Sequence, residues 1–178
     1  MNIHPLFVHF PIGLLVMYSV LEVGAYFLPA LRRQTWLFSV KAFLLFVGVL
    51  GAFAALVTGG IAEELVEGGA RSYILEVHAP VSAITTALYF VIAAAYLIRI
   101  FDAKGWGNYV AGVNSPFMRV WSIKKYIAHL VLDTWFLPVL AILALAGMFV
   151  TGALGAALVY GPDADPFVSF VYSLFWAQ

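Results

Sequence analysis

The 178-residue sequence contains no cysteine. That excludes disulfides, thiolate metal sites and the C-x-x-C-H attachment of a c-type haem. Charge is scarce as well: Asp, Glu, Lys and Arg make up 10% of the chain against 64% hydrophobic residues, and mean hydropathy is +1.00. A water-soluble domain carries about a quarter charged residues and about half apolar ones. This chain lacks such a polar coat and reads as an integral membrane protein. Period-two alternation is missing, which excludes a membrane β-barrel. Also missing are G-x-S-x-G, P-loop and H-E-x-x-H motifs, and no polar segment is long enough to hold a soluble substrate site. The chain therefore reads as an electron-transfer or accessory subunit rather than a stand-alone enzyme.

What is present is a set of four long apolar runs. A hydrocarbon core of ~30 Å needs ~20 helical residues, and residues 6–29, 36–60, 74–101 and 127–159 reach that length. Each is apolar nearly all round, as a lipid-facing helix is. The expected fold is all-α, an integral membrane four-helix bundle forming one domain over residues 1–178. No cationic segment precedes the first run, so it reads as a span and not a cleaved leader. Residues 166–176 (PFVSFVYSLFW) are too short to span. Their aromatics predict a short C-terminal helix in the membrane interface. The 102–126 loop, basic and bearing Trp106, Tyr109 and Trp121, reads as a membrane-surface segment and not a nucleic-acid site.

The cations predict an orientation. Arg32, Arg33, Lys41, Arg99, Lys104, Arg119, Lys124 and Lys125 fall on one side of the spans, leaving Arg71 alone opposite among nine Lys and Arg. The positive-inside rule makes the crowded side cytoplasmic. Both termini then face outward, with the loop carrying Glu63, Glu64, Glu67 and Glu76.

On this topology two histidines fall at one depth. His9 lies three residues into the first span and His78 four residues into the third, and both spans run inward from the outer side. At ~1.5 Å per residue, each is ~13 Å from the middle of its span. Two imidazoles at matched depth on different helices suit a b-type haem, whose iron takes one axial nitrogen from each face. Gly152 and Gly155 in the fourth span give a flat macrocycle, or another helix, a close approach. His4 lies more than a turn further out and about 140° around the helix from His9, as a rim residue or alternative ligand. Other readings stand beside this one. His4, His9, His78 and a glutamate also suit a small metal site, and the glycines and histidines equally suit helix packing and interfacial hydrogen bonding.

The inner half holds a second constellation. Glu22, Lys41 and Asp133, from spans one, two and four, are expected ~7–10 Å from mid-span. His129 precedes Asp133 by four residues and shares its helix face. Buried charges must pair, and Lys41 is the cation placed to compensate Glu22 or Asp133. The cluster reads as a structural ion pair or as part of a proton path.

The opening HPLFVHFPIGLL resembles the signature of a bacterial family of small four-helix membrane proteins of unknown function, whose members begin HP-x-x-VHFPI. His4, Pro5, Val8, His9, Phe10, Pro11 and Ile12 match it, and His78 fits a further histidine early in the third span. The resemblance implies a bacterial inner-membrane location and a redox setting. The expected function is a membrane cytochrome b-like electron-transfer subunit, holding one haem b between His9 and His78 in the outer leaflet. It would pass electrons between a quinone or membrane partner and a cytochrome c-type carrier. The competing expectation is a cofactor-free accessory subunit of a larger respiratory or photosynthetic complex, its 16% aromatic content serving as contact surface for lipids and other membrane subunits.

Overall fold

Within a bilayer no water satisfies the backbone, so an apolar chain must pair every N–H and C=O internally, and a helix does this within one segment. The structure, a computed structural model, describes residues 4–63, 69, 71–106 and 116–176, without the side chains of residues 4–6, 63, 116 and 117. Glu64, Glu67 and Tyr109 thus lie outside the described residues, as do the side chains of His4 and Glu63. Among the described residues the chain forms α1 His4–Phe27, α2 Pro29–Arg32, α3 Leu37–Glu63, α4 Ser72–Ala103, α5 Pro116–Leu132, α6 Phe136–Tyr160 and α7 Pro166–Phe175. Of these, α1, α3, α4 and α6 are long and apolar enough to cross a membrane. The expected all-α, four-helix membrane fold is the observed one.

Around the bundle α1 lies beside α3 and α6, and α4 lies beside the same two helices. Hence α1 and α4 are diagonal partners running in the same direction. One end of the bundle, the N-terminal end, holds the starts of α1 and α4 and the helix α7. The other, the basic end, holds α2, Arg32, Lys104 and α5. Lipid tails are as apolar as leucine, so close packing of small residues, rather than hydrophobic drive, holds such helices together. A Cβ at Gly48 of α3 would lie 2.6 Å from Leu15 of α1, so glycine there lets the two backbones approach. The buried positions Pro11, Leu15, Tyr18, Glu22 and Ala25 of α1 alternate steps of four and three, as in the seam of a left-handed bundle, and Ser19 is buried beside them.

The fourth span differs from its expected bounds. It starts at Phe136, and residues 127–132 belong to the separate helix α5. Between them Thr134 closes the joint: its hydroxyl donates to the Leu130 carbonyl at 2.6 Å and accepts from the Phe136 N–H at 3.3 Å. Those groups would otherwise be left open at two helix ends. On α5, Val120, Ile123, Ile127 and Leu130 form one exposed apolar stripe while Ala128 is buried. Much of the expected 102–126 loop is therefore an amphipathic helix.

The C-terminal helix α7 docks on its own bundle. Asp165 caps it, accepting from the Phe167 and Val168 N–H groups at 2.8 and 2.9 Å, with Pro166 at the first turn, where a missing N–H costs nothing. Val168 and Val171 pack with Ile74, Ala153, Leu154 and Ala157. Nearby, Arg71 donates to the Leu158 and Val159 carbonyls at the end of α6. Gly161 stops that helix with a φ of 107°, a conformation open to a residue without a Cβ.

Candidate functional site

The core of the bundle contains charge. Glu22 is 6% exposed and Lys41 9%. The Lys41 ammonium donates to Glu22 Oε1 at 2.8 Å, and the Tyr96 hydroxyl donates to Glu22 Oε2 at 2.7 Å. Both carboxylate oxygens are therefore engaged, one by α3 and one by α4. The Tyr96 ring stacks on Phe38 at 5.2 Å and meets Tyr18 edge-on at 6.1 Å. Tyr18 meets Tyr89 edge-on at 6.4 Å. Its own buried hydroxyl has no hydrogen-bond partner among the described residues. The Tyr89 hydroxyl shares a 2.9 Å hydrogen bond with Ser19 and lies 3.5 Å from the Leu15 carbonyl.

The polar row continues along α4. His78, Ser82, Thr85, Tyr89, Ile92 and Tyr96 again alternate four and three residues on one helix face, half-buried at His78 and Ser82 and buried from Thr85 onward, so that face carries five polar side chains. Thr85 Oγ1 lies 3.5 Å from Thr151 Oγ1 of α6. From His78 to Tyr96 the row spans ~27 Å, close to the ~30 Å of a hydrocarbon core.

At the basic end the row opens on a cavity of about 720 Å³, lined by Glu22, Lys41, Tyr96, Arg99, Asp133 and Trp135 among others. The four-residue charge cluster expected from the sequence divides here. Glu22 and Lys41 meet in the core, whereas Asp133 meets Arg99 and His129 at the surface. Asp133 precedes the span rather than lying within it, which explains its depth. Lys125 and His129 also approach Asp102, at 3.1 and 3.9 Å. Burial alone would raise the Asp133 carboxyl, but hydrogen bonds from His129 and Arg99, with their charges, outweigh it and hold the group below its ordinary value.

The histidines occupy different surroundings. The Ser19–Tyr89 and Glu22–Tyr96 contacts show that α1 and α4 run side by side through the core, with His9 and His78 both in their N-terminal parts. They do not share a face. His9 is exposed and lies about 160° around α1 from the buried Pro11. On its side of α1 stand Ile12 and Val16, which with Gly152 and Ala156 line a groove of about 270 Å³ beneath Asp165 and Phe167. Gly152 faces open space there. His78 instead packs against α6, where a Cβ at Gly155 would lie 3.3 Å from its Cε1. The structure thus brings His78 to Gly155 and leaves His9 exposed, outside the lining of the Gly152 groove. The side chain of His4 lies outside the described residues. No group of three or more His, Asp or Glu suited to a metal ion occurs among the described residues.

A family model described as "Predicted membrane protein (DUF2231)" matches residues 1–163. The chain belongs to this family. The matched stretch takes in all four spans and ends just before α7. No curated protein and no solved structure matches the chain. DUF2231 membership agrees with the opening motif and with the membrane-spanning fold.

Within this DUF2231 chain the residues that sequence reasoning missed are Tyr18, Ser19, Tyr89, Tyr96, Thr85, Thr151 and Arg99. A signal for the α4 members was present: polar residues at 78, 82, 85, 89 and 96 keep the same four-three step as the buried face of a bundle helix.

Proposed function

We propose that this protein relays protons through the interior of its bundle, between the basic-end cavity and His78 near the N-terminal end. The observation that carries the reading is Glu22, buried with Lys41 and Tyr96 at the foot of a polar row nearly as long as the membrane is thick. Ionisable groups inside a span are costly and mark proton relays and ion paths. Glu22 faces the cavity on one side and a hydroxyl on the other. A proton from cavity water joins the Glu22 carboxylate, and Lys41, losing its counter-charge, turns toward the cavity. The carboxylic acid then passes its proton to the Tyr96 oxygen as Tyr96 releases its own to the hydroxyl of Tyr18, whose ring lies beside it. Hydroxyls suit this because each both donates and accepts. One proton enters, one leaves, and no electron moves. The clustering of Lys and Arg supports placing the basic end on the cytoplasmic side of a bacterial inner membrane.

The test uses vesicles reconstituted with the purified protein and an internal pH dye. Wild type is expected to collapse an imposed pH gradient, while Glu22→Gln and His78→Ala, altered at opposite ends, fall to the rate of protein-free vesicles. Variants that conduct like wild type would overturn the relay.

A second reading is favoured by the seat of His78 against Gly155 beside the open Gly152. There His78 would hold the iron of a haem b, with His9 or the residue at position 4 as second ligand. The haem would supply one-electron exchange with a quinone or a cytochrome c-type partner. As the side chains stand the fit is partial. His78 is inward and His9 is not, and the groove of about 270 Å³ is smaller than the ~300–1,000 Å³ of usual ligand sites. Reduced absorption bands of the purified protein that vanish in His78→Ala support this reading. A colourless protein whose vesicles hold their gradient supports the cofactor-free accessory subunit.

A further inference from the structure

The basic-end cavity carries more positive charge than its internal pairs use. Lys41 is matched by Glu22 and Arg99 by Asp133. Arg32 and Lys104 line the same cavity, are exposed, and form no ion pair among the described residues. Arg32 ends α2 and Lys104 directly follows α4, and cations flanking membrane spans attract anionic headgroups. Trp135 stands at the cavity with 57% of its surface exposed, as aromatic side chains do in an interfacial belt. The inner wall is the buried Glu22, Lys41 and Tyr96, and the outer wall is apolar, with Phe38 and Tyr26 lining the cavity and still 40% and 50% exposed. The volume of about 720 Å³ falls within the ~300–1,000 Å³ of small-molecule sites.

We infer that this cavity binds an anionic amphiphile, its phosphodiester group held between Arg32 and Lys104 and its apolar part lying along Phe38 and Tyr26. Arg32 favours phosphate over a softer partner, because a guanidinium fork matches two phosphate oxygens while Lys104 adds a point charge. An anionic bilayer lipid supplies this chemistry, and a soluble phosphate supplies the headgroup part alone. The inference stands apart from the proton relay: it needs Arg32 and Lys104 and does not need Glu22 to titrate.

A ligand that binds the folded protein raises its melting temperature by mass action. The full-length protein in neutral detergent is therefore melted with dioleoylphosphatidylglycerol, dioleoylphosphatidylcholine or inorganic phosphate at equal concentrations. Phosphatidylglycerol is expected to raise the Tm of wild type and of Arg119→Gln/Lys124→Gln, whose changed cations sit on α5 outside the cavity. Arg32→Gln/Lys104→Gln is expected to lose that shift, and the charge-keeping Arg32→Lys/Lys104→Arg to retain most of it. An equal, Arg32- and Lys104-dependent shift with inorganic phosphate assigns the site to a soluble anion of the same chemistry. The inference is overturned if phosphatidylglycerol gives no shift in wild type, if phosphatidylcholine matches it, or if the glutamine pair keeps the full shift. Should the glutamine pair fail to fold, loss of the shift in Arg32→Lys/Lys104→Arg would equally count against it.

Discussion

At their depth neither Lys41 nor Glu22 is tolerable alone, because a lone charge in a low-dielectric core has no compensation. Together, and with Tyr96 on the second carboxylate oxygen, they form a neutral unit. Removing one partner of such a pair costs about 3–5 kcal/mol, whereas replacing both is close to neutral. Lys41→Met is therefore expected to lower the stability of the detergent-solubilised protein by that amount. Adding Glu22→Gln should restore most of it, and adding Asp133→Asn should restore none, since Asp133 pairs with Arg99. Urea or thermal unfolding of the three proteins checks this. Restoration by Asp133→Asn would mean that the two charge groups are coupled after all. The histidines teach a different lesson at this scale. Counting along a helix places His9 and His78 in the N-terminal parts of their spans. Which way each points depends on where α3 and α6 pack, and that placed His9 on the outside.

Among the elements, the spans were legible because each is apolar all round over more than the needed length. The start of the fourth was not. Residues 116–132 are themselves an amphipathic helix whose apolar stripe runs on into the span, and no glycine marks the joint at Asp133–Trp135. That joint is held by exposed contacts, with Asp133 receiving hydrogen bonds from Arg99 and His129. Exposed pairs of this kind contribute roughly 0.2–1 kcal/mol each. Because the folded Asp133 carboxyl sits below its ordinary value, the contribution is present above about pH 4 and is lost as pH falls further. Emission from Trp135 and Trp121, at the joint and on α5, is expected to shift on acidification below pH ~4. In Asp133→Asn that step should be absent. A step of equal size in the variant would place the titration elsewhere.

For the whole molecule, composition alone indicated a membrane protein, and the four-three step of its buried positions underlies the bundle. What composition hid was the amount of polarity inside it. Thr85, Tyr89 and Tyr96 of α4, with Ser19, Tyr18 and Glu22 of α1, are buried in a bundle that leucine and alanine fill elsewhere, and His78 and Ser82 extend the row half-buried. Diagonal helices meet there through long side chains rather than backbone contact, so no local sequence window shows the row as a unit. The most direct measurement of the relay is the current through the protein in a planar bilayer with a pH difference across it. A proton-selective path requires the reversal potential to follow the proton gradient, moving by about 59 mV per pH unit, and Glu22→Gln to abolish the current. A current no larger than that of the bare bilayer, or a reversal potential that ignores pH, would contradict it.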